Sequence, residues 1–346
     1  MSRIAFVGAG SWGTTMAATV AAKRRDEVIL WSRRAELAET INLFHENPEY
    51  LPDVKLPESL LATHDLEEAL NAAAVVVMGV PSHGFRAVLK DVAAIAGNSV
   101  VYVSLTKGIE VETRKRMSEV IAEEVEGIDA RHICVLSGPN LANEVVRGYP
   151  AASTVASPDV TVAEDLRERF HTSFFRCYTN TDVAGCEIGG ALKNVLAIAC
   201  GVADGMGFGD NTKAAVMTRG LAEMARFAVK FGAKPLTLLG MAGVGDLIAT
   251  CASGLSRNHT VGIELGRGRK INEILGSMRM VAEGVKSCKP LYELGKDAGV
   301  VMPITEAVYH LCHESYAVEA ILDDLLTREF SSEFEGLPDF PLSSPN

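Results

Sequence analysis

Residues 4–14 read Ile4-Ala5-Phe6-Val7-Gly8-Ala9-Gly10-Ser11-Trp12-Gly13-Thr14, and this stretch decides the fold. Four apolar residues predict a short buried strand. Gly8, Gly10 and Gly13 follow at the spacing GxGxxG, and the run from Trp12 to Lys23 predicts a helix. A strand, a glycine turn and a helix start in that order form a phosphate-binding loop. The first Gly allows the tight turn, and the second lets backbone approach a pyrophosphate. The third lets helix and strand pack closely, while the helix N-terminus donates N–H groups to the anion. A glycine-rich turn without a ligand is the bland alternative.

The next strand is Val28-Ile29-Leu30-Trp31, followed by Ser32-Arg33-Arg34. An acid at this place would bind a ribose 2′-hydroxyl, whereas Arg accommodates a 2′-phosphate. Two arginines and no acid predict that NADP(H) is preferred and NAD(H) is possible. Further strands are expected at Val75–Met78, Val100–Leu105, Ile133–Leu136 and Ser153–Ala156. Helices are expected from Arg34 to Asn42, Phe85 to Ile95 and Glu112 to Val125. This alternation predicts an α/β fold, an N-terminal Rossmann-type doubly wound sheet that is mainly parallel. After about residue 185 the pattern is helical and no strand is apparent, so an all-α C-terminal domain is expected. The expected division is 1–185, 186–328 and an acidic, disordered tail 329–346. That tail holds four acids and no Lys or Arg.

The chain has 346 residues with a net charge of −11, from 44 acids against 33 bases. That balance argues against nucleic-acid or anionic-membrane partners. The seven cysteines form no CxxC and no zinc spacing, so no metal site is expected and the thiols read as reduced and buried. No apolar stretch reaches the ~20 residues of a membrane span, and no basic-then-apolar leader is apparent. A cytoplasmic protein without an integral membrane segment is therefore the expectation.

Several polar residues stand at the ends of strands or inside apolar helices. Val80-Pro81-Ser82-His83-Gly84-Phe85 follows the third strand, and Phe85 could lie against the cofactor. Lys107, in Ser104-Leu105-Thr106-Lys107-Gly108, offers a compact positive charge at the carboxyl end of a strand. Ser137-Gly138-Pro139-Asn140 can present backbone N–H groups. Lys193 and Asn194 interrupt a small-residue apolar helix. A lone ammonium buried there is costly unless paired or functional, which makes Lys193 a candidate general acid. Asp246 and Thr250 are four apart and share a helix face. Asp246 is either a counter-charge to Lys193 or a plain N-cap. Ser256-Arg257-Asn258 is a candidate phosphate clamp. An exposed loop position is the bland reading for Lys107, His83 and Arg257.

In this order the motifs resemble the NAD(P)-dependent glycerol-3-phosphate dehydrogenase family of bacterial type, from about residue 3 to 325. The segments that carry the resemblance are GAGSWGT (8–14), NPEYLPDVKLP (47–57), VPSH (80–83), LTKG (105–108), SGPNLANE (137–144), GGALKN (189–194), GFGDNTKAAV (207–216), GVGDLIATC (243–251) and SRN (256–258). The resemblance implies reversible reduction of dihydroxyacetone phosphate to sn-glycerol 3-phosphate, supplying phospholipid synthesis. It implies Lys193 as the catalytic Lys, Lys107 beside substrate and cofactor, and Asn194, Asp246 and Thr250 as the network around Lys193. It implies substrate contacts at Gly138, Asn140, Ser256, Arg257 and Asn258. Cofactor contacts are implied at Ser11, Trp12, Arg33, Arg34, Phe85, Ala142, Arg257, Val281 and Glu283. Asn140 stands where many bacterial members carry Thr or Ser. The expected partner is a small phosphorylated substrate, and the expected assembly a homodimer. Two other readings keep the same N-terminal fingerprint. One is a related Rossmann plus α-domain reductase such as a ketopantoate reductase, which would not need Arg257-Asn258. The other is a non-catalytic NADP(H)-sensing protein, which would not need Lys107, Lys193 and Asp246 together.

Overall fold

The computed structural model describes residues 2–278, 282–328, 332–333 and 336. The N-terminal elements are β1 (Arg3–Val7), α1 (Ser11–Ala21), β2 (Glu27–Trp31), α2 (Ala35–Phe44), β3 (Glu46–Asn47), β4 (Leu51–Lys55), β5 (Leu60–Thr63) and α3 (Leu66–Leu70). Next come β6 (Ala73–Met78), α4 (Ser82–Ala96), β7 (Val101–Ser104), α5 (Met117–Glu124), β8 (Ile133–Ser137), α6 (Ala142–Val145), β9 (Ala151–Ala156), α7 (Val160–Phe170) and β10 (Phe175–Asn180). The helical remainder is α8 (Val183–Gly205), α9 (Asp210–Lys230), α10 (Asp246–Ala252), α11 (Arg257–Gly266), α12 (Ile271–Ser277), α13 (Glu283–Asp297), α14 (Pro303–His313) and α15 (Val318–Thr327).

Eight strands form one sheet in the order β10-β9-β8-β7-β6-β1-β2-β5. Every pairing is parallel except β8 with β9. The strand order reverses between β1 and β6, and a crevice opens there beyond the carboxyl ends of the strands. Side chains alternate along β1. Ile4 and Phe6 pack with Met16 and Val20 of α1, whereas Ala5 and Val7 pack with Phe85 and Leu89 of α4. Both faces are covered, which is why these strands read as continuous apolar runs.

The expected helix from Glu112 is shorter than predicted and begins at Met117. Residues 109–116 form a turn closed by a bridge between Ile109 and Arg116, with Arg114 at φ 60°. Four strands escaped the sequence pattern. β5 is short, β10 is an alternating edge strand, and β3–β4 is a hairpin of only seven strand residues.

Among the described residues no strand follows Asn180. The expected boundary at 185–186 falls within the first turn of α8. This helix is the axis of the helical region and is buried almost throughout. It also corrects the expectation about apolar length, because α8 is long and apolar enough to cross a membrane. Here it is a core helix, with 83% of its apolar stretch buried by the protein itself. Lys193 and Asn194, which interrupt its apolar run, are buried with partners, and so is Glu187. All seven cysteines are free thiols and buried. The acidic tail expected from 329 lies outside the described residues, apart from 332–333 and 336. Arg219 donates to the backbone oxygen of Glu333.

α11 lies against α8 through interleaved glycines. A Cβ on Gly201 would stand 2.1 Å from the His259 oxygen, and one on Gly262 would stand 2.1 Å from the Ile198 oxygen. Only hydrogen at these positions permits so close a crossing. Gly201→Val is therefore expected to lower unfolding free energy by about 3 kcal/mol. Urea denaturation measures this, and a loss below about 0.5 kcal/mol, the range of ordinary surface changes, would contradict the account.

Candidate active site

Each of the parallel strands β1, β6 and β7 ends in a turn facing the crevice. After β1 comes the glycine loop. Gly8 has φ +115°, and a Cβ there would stand 2.7 Å from the Gly79 oxygen. A Cβ on Gly13 would stand 2.1 Å from the Gly8 oxygen, so both glycines are dictated by packing. Gly10 is different, because a Cβ there would meet nothing within 4 Å. Its side of the loop is open, as a backbone that receives a pyrophosphate requires. Ser11 and Trp12 line the same cavity, of about 360 Å³, on the first turn of α1.

The hairpin β3–β4 covers this loop. Asn47 is fully buried and donates to the Ala9 oxygen at 3.0 Å and to Thr14 Oγ1 at 2.8 Å. Ser11 donates to the Tyr50 oxygen at 3.0 Å. Tyr50 lines the cavity.

The chemistry of the opposite wall rests on one carboxylate. Asp246, 1% exposed, receives Lys193 Nζ on Oδ1 at 3.0 Å and Lys107 Nζ on Oδ2 at 2.6 Å. Lys193 also donates to Thr250 Oγ1 at 2.7 Å, and Lys107 donates to the Gly138 oxygen at 2.7 Å. An ammonium has three N–H donors. Lys107 directs two of them at described residues and has one left over, whereas Lys193 directs one at Thr250 and meets Asp246 as an ion pair. Asp246 caps no helix end with its side chain, so the N-cap alternative does not apply. Burial pushes Lys107 down to about 8, against the attraction of Asp246 and with the help of the Lys193 charge.

Asn194 and Asn258 form a buried chain. Asn258 Nδ2 donates to Asn194 Oδ1 at 2.9 Å, and Asn258 Oδ1 accepts from the Gly284 amide at 2.9 Å. Ser256 caps α11, accepting from the His259 amide at 3.3 Å. Arg257, the first residue of α11, lines the cavity with Asn258 and Glu283. Glu283 accepts from Ser82 Oγ at 2.7 Å, across the crevice. Asn140 lines the cavity, and both of its amide atoms are buried without a hydrogen-bond partner among the described residues; so is Trp12 Nε1. Buried polar atoms are normally paired, so these point to a ligand. The lining holds three cations (Lys107, Lys193, Arg257) against two carboxylates (Asp246, Glu283), in an otherwise acidic chain.

Not every expected residue reaches the cavity wall. Phe85 is 0% exposed and packed in the core beneath α4, so the structure does not bring it to a cofactor surface. Gly138 acts through Lys107. Its φ is +155°, and a Cβ would press on Ser153 at 2.9 Å. Ala142 opens α6 beside the cavity, where its oxygen accepts from Thr15. His83 is exposed, and Val281 lies outside the described residues. Arg33 and Arg34 are exposed at the end of β2, and Arg34 is paired with Glu49 at 2.6 Å. Residue-by-residue reading missed Tyr50, Thr106, Leu141, Ala249 and Leu255, which also line the cavity. Of these, only Leu255 lay outside the segments that the sequence had singled out.

The family profile described as NAD-dependent glycerol-3-phosphate dehydrogenase N-terminus matches residues 3–163, and its C-terminus counterpart matches 182–323. A protein of Nocardia farcinica named glycerol-3-phosphate dehydrogenase (NAD(P)+) is 51% identical over 339 residues, 96% of this chain and all of that one. The crystal structure of glycerol-3-phosphate dehydrogenase from Coxiella burnetii superposes with a TM-score of 0.89 at 36% identity, covering 94% of this chain and 99% of that one. A ketopantoate reductase from Ralstonia eutropha superposes at 0.54 with 14% identity, covering 94% of this chain and all of that one; this likeness is one of fold alone.

Proposed function

The chain belongs to the NAD-dependent glycerol-3-phosphate dehydrogenase family, and from that premise we propose how its own residues carry out the family reaction and which dinucleotide they prefer. It is an NAD(P)-dependent oxidoreductase that interconverts dihydroxyacetone phosphate and sn-glycerol 3-phosphate. The observation that carries the mechanism is the pair of ammoniums on Asp246, each with N–H donors to spare.

The glycine loop, Ser11, Trp12 and the arginines after β2 would hold the dinucleotide, whose nicotinamide supplies the hydride when bound. In the reductive direction a negative charge develops on the oxygen at C2. Lys193 stabilises that oxygen with its remaining N–H and delivers the proton to it. Asp246 and Thr250 orient Lys193, and Asn194 braces Asn258. Arg257 and Asn258, at the start of α11, receive the substrate phosphate with the helix N-terminus behind them. Lys107, tethered by Gly138, adds a second cation to the same anionic substrate, and Asn140 and Ser256 complete the contacts. Ala142, Phe85 and Glu283 are assigned to the cofactor side, Phe85 as support from beneath. The division into a dinucleotide-binding domain, residues 1–185, and a helical domain, residues 186–328, belongs to this proposal. So do a cytoplasmic homodimer and a role in supplying phospholipid synthesis.

Lys107 sets a pH dependence. Its folded pKa is depressed, so the native state carries fewer protons than the unfolded chain between about 8 and the ordinary lysine value of 10.5. Its contribution to stability therefore improves as pH rises through that window. Substrate affinity moves the other way. The KM for dihydroxyacetone phosphate is expected to climb above about pH 8 as Lys107 loses its charge. Lys107→Arg should remove that rise, because Arg stays charged. Initial rates from about pH 6.5 to 9.5, a range that brackets the lysine's titration, decide it. An identical rise in both proteins would reject the role.

NADP(H) preference rests on Arg33, which is exposed and has no hydrogen-bond or ion-pair partner among the described residues. The kcat/KM ratio for NADPH over NADH should exceed one and fall about tenfold or more in Arg33→Asp. A native preference for NADH would overturn the preference. Activity on ketopantoate rather than dihydroxyacetone phosphate would overturn the substrate.

A further inference from the structure

We infer that Glu49, at the turn of the β3–β4 hairpin, sets the balance between the two dinucleotides by competing with a ribose 2′-phosphate for Arg34. This rests on the proposed reading of residues 32–34 as the adenosine-ribose end of the cofactor site, and it adds a residue from a segment that reading did not include.

The position of Glu49 is held from both sides. Asn47, two residues before it, is buried and bonded to Ala9 and Thr14 of the glycine loop. Tyr50, the next residue, accepts from Ser11 through its backbone oxygen and lines the cavity. The hairpin is thus pinned onto the phosphate loop, and Glu49 sits at a fixed place beside it. Its carboxylate meets the Arg34 guanidinium at 2.6 Å, and the same guanidinium lies 5.9 Å from the centre of the Tyr50 ring. The two charged groups are each about half exposed, 46% and 51%, so a ligand anion can reach both.

The arginines of the pair Arg33-Arg34 are therefore not equivalent. Arg33 is unengaged among the described residues. Arg34 already has a carboxylate. A 2′-phosphate, carrying about −1.5 to −2 charges, is drawn to both arginines but must displace and then face Glu49. A ribose 2′-hydroxyl has no such conflict, and a carboxylate at this end of a Rossmann sheet can accept its hydrogen bond. Glu49 thus supplies, from a distant hairpin, the acid that the strand β2 itself lacks. Arg33 favours NADP(H), and Glu49 counteracts part of that preference.

The test uses the full-length protein and steady-state kinetics with NADPH and NADH at saturating dihydroxyacetone phosphate. Glu49→Gln is expected to raise the NADPH-to-NADH ratio of kcat/KM by about tenfold, the change residing in the KM for NADPH. Arg34→Gln should cost NADPH several-fold in the Glu49→Gln background, where Arg34 has been released to the 2′-phosphate. An unchanged ratio, or KM values that rise together for both dinucleotides, would show that Glu49 only braces the hairpin and would overturn the inference. No cost of Arg34→Gln to NADPH in the Glu49→Gln background would do the same. If Arg33→Asp leaves NADPH untouched, the ribose-site reading itself fails. If Arg33→Asp costs NADPH while Glu49→Gln leaves the ratio unchanged, only the role of Glu49 fails.

Discussion

Lys193→Met is expected to lower kcat for dihydroxyacetone phosphate reduction by about 10²–10⁴-fold while NADPH still binds, since a positioned proton donor contributes on that order. Methionine is the informative replacement. It keeps the unbranched stem within the apolar body of α8, where Lys193 is 6% exposed, and removes only the ammonium. Asp246 stays neutralised by Lys107 at 2.6 Å, so the variant leaves no unpaired buried charge. Stopped-flow hydride transfer and fluorescence titration of NADPH separate the chemical step from binding. A kcat within about tenfold of the native value, below what a proton donor contributes, would remove Lys193 from the reaction and favour Lys107 as donor.

Asp246→Asn is expected to be the more damaging change to the molecule as a whole. One buried carboxylate balances the buried Lys193 ammonium and the largely buried Lys107 ammonium, and removing a partner from a buried ion pair typically costs about 3–5 kcal/mol. An amide oxygen can accept from one lysine but cannot offset either charge. Lys107, already near 8, then falls further, because Asp246 is the group that opposes its desolvation. A depressed lysine makes the folded state bind fewer protons, so the stability deficit should be largest at low pH and shrink as pH rises. Thermal unfolding at about pH 6, 8 and 10, on either side of the Lys107 titration, measures this. Adding Lys107→Met should recover part of the loss by deleting one unbalanced charge. A pH-independent deficit, or no recovery in the double variant, would mean that the carboxylate is a packing group and not a shared counter-ion.

The regions of this protein differ in how far they were legible in its sequence. The strand–glycine–helix at 4–14 was legible because its constraints are local. Gly8 is demanded by its own φ of +115° and Gly13 by the Gly8 oxygen five residues before it, and alternating burial of Ile4, Ala5, Phe6 and Val7 leaves a recognisable run. The parallel sheet followed from continuous apolar strands, and the helical second half from its period and the absence of strand runs. The polar candidates were legible as chemical types in unusual settings. Their assembly was not, because Lys107, Lys193 and Asp246 are separated by up to 139 residues.

What the chain determines by itself is therefore its alternation, its phosphate loop and the inventory of groups able to do chemistry. Tertiary structure alone decided which groups share a charge, which asparagines are spent bracing each other, and that Phe85 lies in the core. It alone placed residues 46–55 over the glycine loop and Glu49 against Arg34. The physical reason is the same in each case. Local propensity acts over a few residues, whereas desolvation and pairing of charge depend on which distant segments the packed core brings within hydrogen-bond reach.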